Sequence, residues 1–268
     1  MRLYYGGLVI HQSQSDDGVI EVVDLDDMRS MHFGSHPRQS SMSLATPHTL
    51  ELTYTQSMMA CLLLNPEPER VLVVGLGGGS LVKFILHHFP HCHIDVIEYR
   101  EDVVKVAHGY FKVPSDEPRL TIHLGDGYLF TQDRFFQSDT NYDLILVDAY
   151  DHTGMAASVG VQAFFDACAG ILSPDGVMSV NLWGSDNALF GQTMSRINQS
   201  FDGRTMILPV ENKGNVIGLA MNKLVTNAAL KKLKPQVELQ ELKFNINLPR
   251  ALHDLIRQNR SLISRLFS

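Results

Sequence analysis

Two aspartates stand three residues apart in DAYDHTG, Asp148 and Asp151, and two further acids, Glu98 and Asp126, each close an apolar run of their own. A carboxylate so placed can take or hold the proton of an amine, which arrives charged and becomes a nucleophile only when that proton is lost. Upstream, GLGGGS sets Gly75, Gly77, Gly78 and Gly79 in a bare turn where backbone amides can approach a ligand. Glu98 follows these glycines by about 20 residues, the spacing at which an acid accepts both hydroxyls of a ribose. Each feature alone also has a purely structural reading. The acid of Gly125-Asp126-Gly127, for instance, is of a kind that often only caps a helix or a turn. Acids after three successive strands, behind a glycine turn, point jointly to a nucleoside site.

The elements that must carry these residues are legible as a pattern. Between 70 and 222 the runs VLVVG, HIDVIE, LTIHLG, DLILVD, GVMSVNLW, RTMILPV and VIGLAM alternate with helix-like segments. Short continuous Val/Ile/Leu runs separated by helices predict strands buried on both faces, hence an α/β fold with a doubly wound parallel sheet. The last two runs, joined by ENKGN, predict an antiparallel edge hairpin. Residues 3–42 alternate, with Asp16-Asp17-Gly18 and Asp26-Asp27 as turns, and predict a small antiparallel sheet. Residues 50–64 have helical spacing up to the stop at Asn65-Pro66-Glu67-Pro68. The division that follows is 1–48 for the N-terminal β unit and 49–268 for the nucleoside-binding unit. The latter includes a C-terminal helical tail that docks on the core or on another subunit.

The choice of nucleotide follows from charge. No GxxxxGK[ST] is present, and GLGGGS follows GxGxxG loosely, with Ser80 at the third glycine position. Clustered acids repel phosphates and attract a sulfonium, which favours S-adenosylmethionine (AdoMet) or its decarboxylated form as co-substrate.

At these residues the sequence resembles the spermidine synthase-like branch of class I AdoMet-dependent transferases, the polyamine aminopropyltransferases. HFGSHPRQSSM resembles the family's N-terminal hairpin motif, which implies a cofactor-side role for Gln39. TYTQSMMACL is similar to YQEMIAHL and retains Gln56, while GLGGGS stands at the family's GGGDGG. The resemblance places Glu98 on the ribose acid, Asp126 and Gly127 on the GDG near adenine, and DAYDHTG on DSSDP. It implies a Rossmann-like sheet of AdoMet-methyltransferase type. It also implies Asp148 as general base or amine anchor, Asp151 as holder of the acceptor, and a homodimer. The implied acceptor is a small amine such as putrescine or spermidine, and the by-product 5'-methylthioadenosine.

Four departures bear on the activity. Gly78 replaces the acid of GGGDGG, Thr55 the tyrosine before the glutamine, Ser57 the acid after it, and His152 the proline of DSSDP. The acid at 78 would repel the carboxylate of intact AdoMet, so glycine there opens the alternative of an AdoMet-dependent methyltransferase. The missing tyrosine and acid around Gln56 leave room for another, a non-catalytic nucleoside-binding homologue. Tyr150 suits either the acceptor slot or plain packing.

Composition sets the outer bounds. A chain of 268 residues with formal charge -7 and no long basic run disfavours nucleic acid. No run reaches the about 18–20 apolar residues of a membrane span, so no membrane partner and a cytoplasmic location are expected. Cys61, Cys92 and Cys168 are widely spaced and read as reduced core thiols. His87, His88, His91 and His93 read as helix-end histidines and His152 as a loop residue, with no metal expected.

Overall fold

The computed structural model describes residues 2–137, 141–150, 155–211 and 213–266. Alternation governs its N-terminal segment. Strands β1 (Arg2–Tyr4), β2 (Gly7–Ser15), β3 (Gly18–Leu25), β4 (Met28–His32) and β5 (Arg38–Ser43) form a five-stranded antiparallel meander in sequence order. Asp26, at φ 52, makes the left-handed turn between β3 and β4.

Helix α1 (Thr53–Met58) follows and passes into a 3-10 turn over Met59–Leu63. The helix expected over 50–64 therefore starts three residues later. Its entry is held extended because the Gln56 amide donates to the carbonyl of Leu50 at 2.6 Å. Leu50 is buried in the main core and Leu52 offers no side-chain cap.

The body alternates β6 (Arg70–Val74), α2 (Ser80–His88), β7 (His93–Glu98), α3 (Glu101–Tyr110), β8 (Leu120–Leu124), α4 (Gly127–Gln137), β9 (Tyr142–Val147), α5 (Gln162–Ile171), β10 (Leu172–Trp183), α6 (Asn187–Ser200), β11 (Thr205–Pro209) and β12 (Asn215–Met221). Its seven strands lie in the order β11-β12-β10-β9-β6-β7-β8. The five from β10 to β8 are parallel, and β11 and β12 form the antiparallel edge hairpin. All seven expected runs are strands. Apolar clusters cover both faces: one holds Val71, Val73, Val82 and Phe84, the other Leu72, Val74, Phe164 and Phe165. The tail folds as α7 (Asn227–Lys232), α8 (Lys234–Phe244) and α9 (Leu248–Leu266). Leu248, Leu252 and Leu255 are buried in the main cluster, so the tail docks on its own core.

Of the helix-end histidines, His91 and His93 are exposed, and His87 and His88 make ring contacts. His88 lies beside Phe84 and Phe244, with its pKa pushed down to about 4 chiefly by burial, and His87 stacks on His48 at 3.6 Å.

Two contacts fix the glycine turn against its surroundings. Lys83 of α2, 6% exposed, donates to the carbonyls of Gly78 at 2.8 Å and Phe111 at 2.6 Å and touches Met42 of β5. This one side chain joins the turn, the end of α3 and the N-terminal sheet. The second contact is at Gly75, whose φ of 94° is glycine territory and whose hydrogen faces the main-chain carbonyl of Asp148. A methyl group there would overlap that carbonyl.

Two outcomes follow. Burial pushes Lys83 down to about 7, while in the unfolded chain it keeps its proton to about pH 10.4. At this group the folded protein then binds fewer protons between about pH 7 and 10, so the contribution of Lys83 to stability is lowest below that window and rises through it. In Lys83→Met this rise is lost. Denaturant unfolding at about pH 6, 8 and 9.5 measures it, and parallel profiles for the two proteins would contradict the assignment. Gly75→Ala costs about 3 kcal/mol in the same experiment, from the backbone conformation and the overlap together. A loss below about 1 kcal/mol would mean that the two strand ends separate freely.

Candidate active site

The C-terminal ends of β6, β7, β8 and β9 open into one cavity of about 320 Å³, and the hairpin formed by β4 and β5 closes its outer side with Phe33, Gln39 and Ser40. The strand ends are held together by main-chain bonds beyond the ladder. Gly75 N–H donates to Ile97, Gly125 N–H to Glu98, and Asp148 N–H to Val74. Ligands bind at such carboxyl ends because there the chain leaves the sheet and the turns between neighbouring strands part into a crevice.

Glu98 is 8% exposed and accepts from the backbone N–H of Leu76 at 2.8 Å and of Arg100 at 2.9 Å. Burial raises its pKa, and these backbone donors oppose the rise. The carboxylate is thereby fixed at the cavity wall with lone pairs left for a diol. Asp126 uses Oδ1 to cap α4, accepting from the N–H groups of Tyr128 and Leu129, and its residue still lines the cavity. The helix-cap role and the cavity role are both present. Gly127 lets α4 approach Val74 and Val159 where a Cβ would collide with them.

Asp148 lies at the centre. Dense protein surrounds it, and what surface it keeps opens on this cavity and on a second one of about 1130 Å³. Tyr54 Oη donates to Oδ2 at 3.1 Å and Asn181 Nδ2 to Oδ1 at 2.9 Å. Burial raises the pKa of Asp148, and these two donors pull it back toward the ionised form. Behind them, Asn215 Nδ2 donates to Asn181 Oδ1 at 2.9 Å, and Tyr150 Oη donates to the Asn181 carbonyl at 3.0 Å. The larger cavity shares Gln39, Tyr54, Asp148 and Tyr150 with the smaller and continues along β10 and α6 past Asn181, Trp183 and Phe190.

Of the residues expected from sequence, Gln39, Gly75, Gly77, Glu98, Asp126, Gly127 and Asp148 all line the smaller cavity. Three do not. Gln56 is turned away and spends its amide on Leu50. Gly79 takes φ 65° as the N-cap of α2 and faces Val113. Gly78 donates its N–H to Ser40 Oγ at 2.7 Å, and a Cβ on it would run into Phe111 and Ser40 rather than the cavity. Asp151 and His152 lie outside the described residues. Among the described residues no three His, Cys, Asp or Glu side chains converge as metal ligands.

Three residues at the site go beyond the sequence expectations. Tyr54 supplies a tyrosine where the motif comparison finds Thr55; it sits one position earlier, in the first turn of α1. Asn181 is a lone amide inside an apolar strand, and that misfit is the available signal. Asn215 reads as part of a turn, and only the pairing of β12 with β10 brings it to Asn181.

Residues 51–202 match the family described as the spermine/spermidine synthase domain. Over 247 residues the chain is 30% identical to the polyamine aminopropyltransferase of Chromobacterium violaceum, a match covering 92% of this chain and 93% of that protein. A spermidine synthase in complex with the transition-state analogue AdoDATO superposes with a TM-score of 0.64 at 23% identity, covering 84% of this chain and 79% of that one. Human methyltransferase-like protein 13 in complex with SAH superposes at 0.61 and 24%, covering 75% and 93%. The two structures share the methyltransferase-type fold, and the sequence matches carry the assignment further: the chain belongs to the spermine/spermidine synthase family.

Proposed function

We propose that this protein transfers the aminopropyl group of decarboxylated AdoMet to a polyamine, with putrescine and spermidine as the candidate acceptors, and releases 5'-methylthioadenosine. The observation that carries the reading is the position of Asp148, a hydrogen-bonded carboxylate at the junction of a nucleoside-sized cavity and a longer one. Family membership and the acids at the strand ends support it.

In this reading Glu98 accepts the ribose hydroxyls and Asp126 and Gly127 flank the base, which directs the sulfonium toward Asp148. The acceptor ammonium enters from the larger cavity and gives a proton to Asp148. Its lone pair then attacks the aminopropyl carbon next to sulfur in line with the C–S bond. The new C–N bond forms as the C–S pair returns to sulfur, leaving a neutral thioether and a secondary ammonium. Alignment near contact distance supplies much of the rate, and the proton transfer contributes about 10²–10⁴-fold. Asp151, as holder of the amine tail, belongs to the same reading.

A methyl donor would need room at Gly78 for the carboxylate of AdoMet. That position faces Phe111 and Ser40, so its lack of a side chain opens nothing toward the donor. A homodimer and a cytoplasmic location complete the reading. The resemblance supports the first, and among the described residues no helix is long and apolar enough to cross a membrane.

Incubation with decarboxylated AdoMet and putrescine or spermidine is expected to release methylthioadenosine, with AdoMet giving none. Methyl transfer from AdoMet, or no product from any polyamine, would sink the reading. Asp148→Asn should lower kcat by about 10²–10⁴-fold with nucleoside binding retained. Tyr54→Phe removes one donor to the ionised carboxylate, so the pKa of Asp148 rises further. The acid limb of the kcat profile then moves to higher pH, because activity needs the unprotonated form. Glu98→Gln puts an NH₂ against a backbone N–H and should weaken methylthioadenosine binding by about 10–100-fold, read by calorimetry. Unchanged affinity would remove Glu98 from the nucleoside site.

A further inference from the structure

Asn181 is 4% exposed, and its side chain is engaged at both ends. Its nitrogen donates to Asp148, and its oxygen accepts from Asn215. An ionised carboxylate only accepts, so the amide must show nitrogen, not oxygen, to Asp148. The two ends of an Asn amide have nearly the same shape, and half a turn about its bond would reverse them. During transfer the difficulty sharpens. Once Asp148 holds the amine's proton, the carboxyl can itself donate, and its preference for a donor on Asn181 weakens. A group outside the pair must then keep the amide from turning over.

Asn215 is placed to do this. It is the first residue of β12, and β10 pairs Asn181 with Ile217 and Trp183 with Asn215. Asn215 is therefore the diagonal neighbour of Asn181 on the same sheet face, within reach of its side chain. It lies behind Asn181 and away from Asp148, in the wall of the larger cavity.

We propose that Asn215 is a positioning residue for the transfer, locking the Asn181 amide with its nitrogen toward Asp148 so that the carboxylate keeps its orientation to the acceptor amine. The proposal rests on the reading that Asp148 receives the acceptor's proton. The edge hairpin thus takes part in the chemistry through a two-amide relay.

The test uses the full chain with ¹³C-carboxyl-labelled aspartate, the Asp148 signal being identified by its absence in Asp148→Asn. In Asn215→Leu the titration midpoint of Asp148 moves up by about 1 pH unit, the size expected for one lost hydrogen bond to an ionised group. In turnover, kcat falls about tenfold, its acid limb moves up in parallel, and KM for the amine stays within about twofold. Asn215→Ala removes the same donor and adds no charge. It should move the midpoint about as far, which keeps the test decisive where Asn215→Leu folds poorly. In an Asn181→Leu background neither replacement should shift the midpoint further, since the relay is already cut. A midpoint unmoved by both variants, or effects that simply add to those of Asn181→Leu, would overturn the proposal. A wild-type protein that releases no methylthioadenosine with any polyamine would sink the proposed function instead, while the titration still decides the lock.

Discussion

A carboxylate sunk in protein must be given hydrogen-bond donors or it gives up its charge, and the architecture around Asp148 is a response to that constraint. The donors come from distant parts of the chain: Tyr54 from the first turn of α1, Asn181 from the C-terminal half of β10, with Asn215 from β12 behind it. None of these can reach unless β6, β9 and β10 run side by side to the same level. Gly75 permits that by letting the end of β6 lie against the carbonyl of Asp148. The sheet order, the glycine and the edge hairpin are therefore parts of one solution. Together they keep a half-buried carboxylate in a state from which it can take up a proton.

The donor side is solved differently. The glycine turn carries no charge, and its amides are already in use: Leu76 N–H serves Glu98 and Gly78 N–H serves Ser40. The negative potential comes from acids one and two strands away, Glu98 after β7 and Asp126 after β8, each anchored by backbone donors that also fix its direction. Such a wall suits a cationic sulfonium and a neutral ribose better than a pyrophosphate. The N-terminal sheet is needed because the turn is otherwise open on one side. Ser40 closes it, and Lys83 ties its carbonyl to Phe111 and β5.

How much of this was legible follows from the kind of signal each residue carries. The seven strands and the acids behind them are local in sequence. A continuous apolar run that ends in a carboxylate fits a buried strand opening onto a site better than any other element, and Glu98, Asp126 and Asp148 lie on the cavity wall as expected. Side-chain direction is not local. Gly78 carries weight as a letter in a motif, but the turn aims that position at Phe111. Tyr54 stands a single position from Thr55, and although both line the cavity, only the tyrosine reaches Asp148, while the Thr55 hydroxyl turns back to the carbonyl of Leu52. Asn181 and Asn215 depend on the register between β10 and β12, a long-range property that no window of sequence contains.

The two cavities thus differ in what builds them, and this bears on selectivity. The smaller is framed by strand ends and backbone amides, which tolerate little change because they also hold the sheet together. The larger is walled by side chains of β10, α6 and the edge hairpin, among them Trp183, Phe190 and Asn215, which can be exchanged without disturbing the central strands. On the proposed reading, donor recognition is bound to the stability of the fold, while acceptor choice is left to a periphery free to vary. Asp148 stands on the boundary between them. Its partners reflect this, since Tyr54 lines both cavities and Asn181 only the larger. A change of acceptor that reaches as far as Asn215 would therefore alter the basicity of the central carboxylate as well as the shape of the cavity, so that specificity and proton transfer are coupled through one amide.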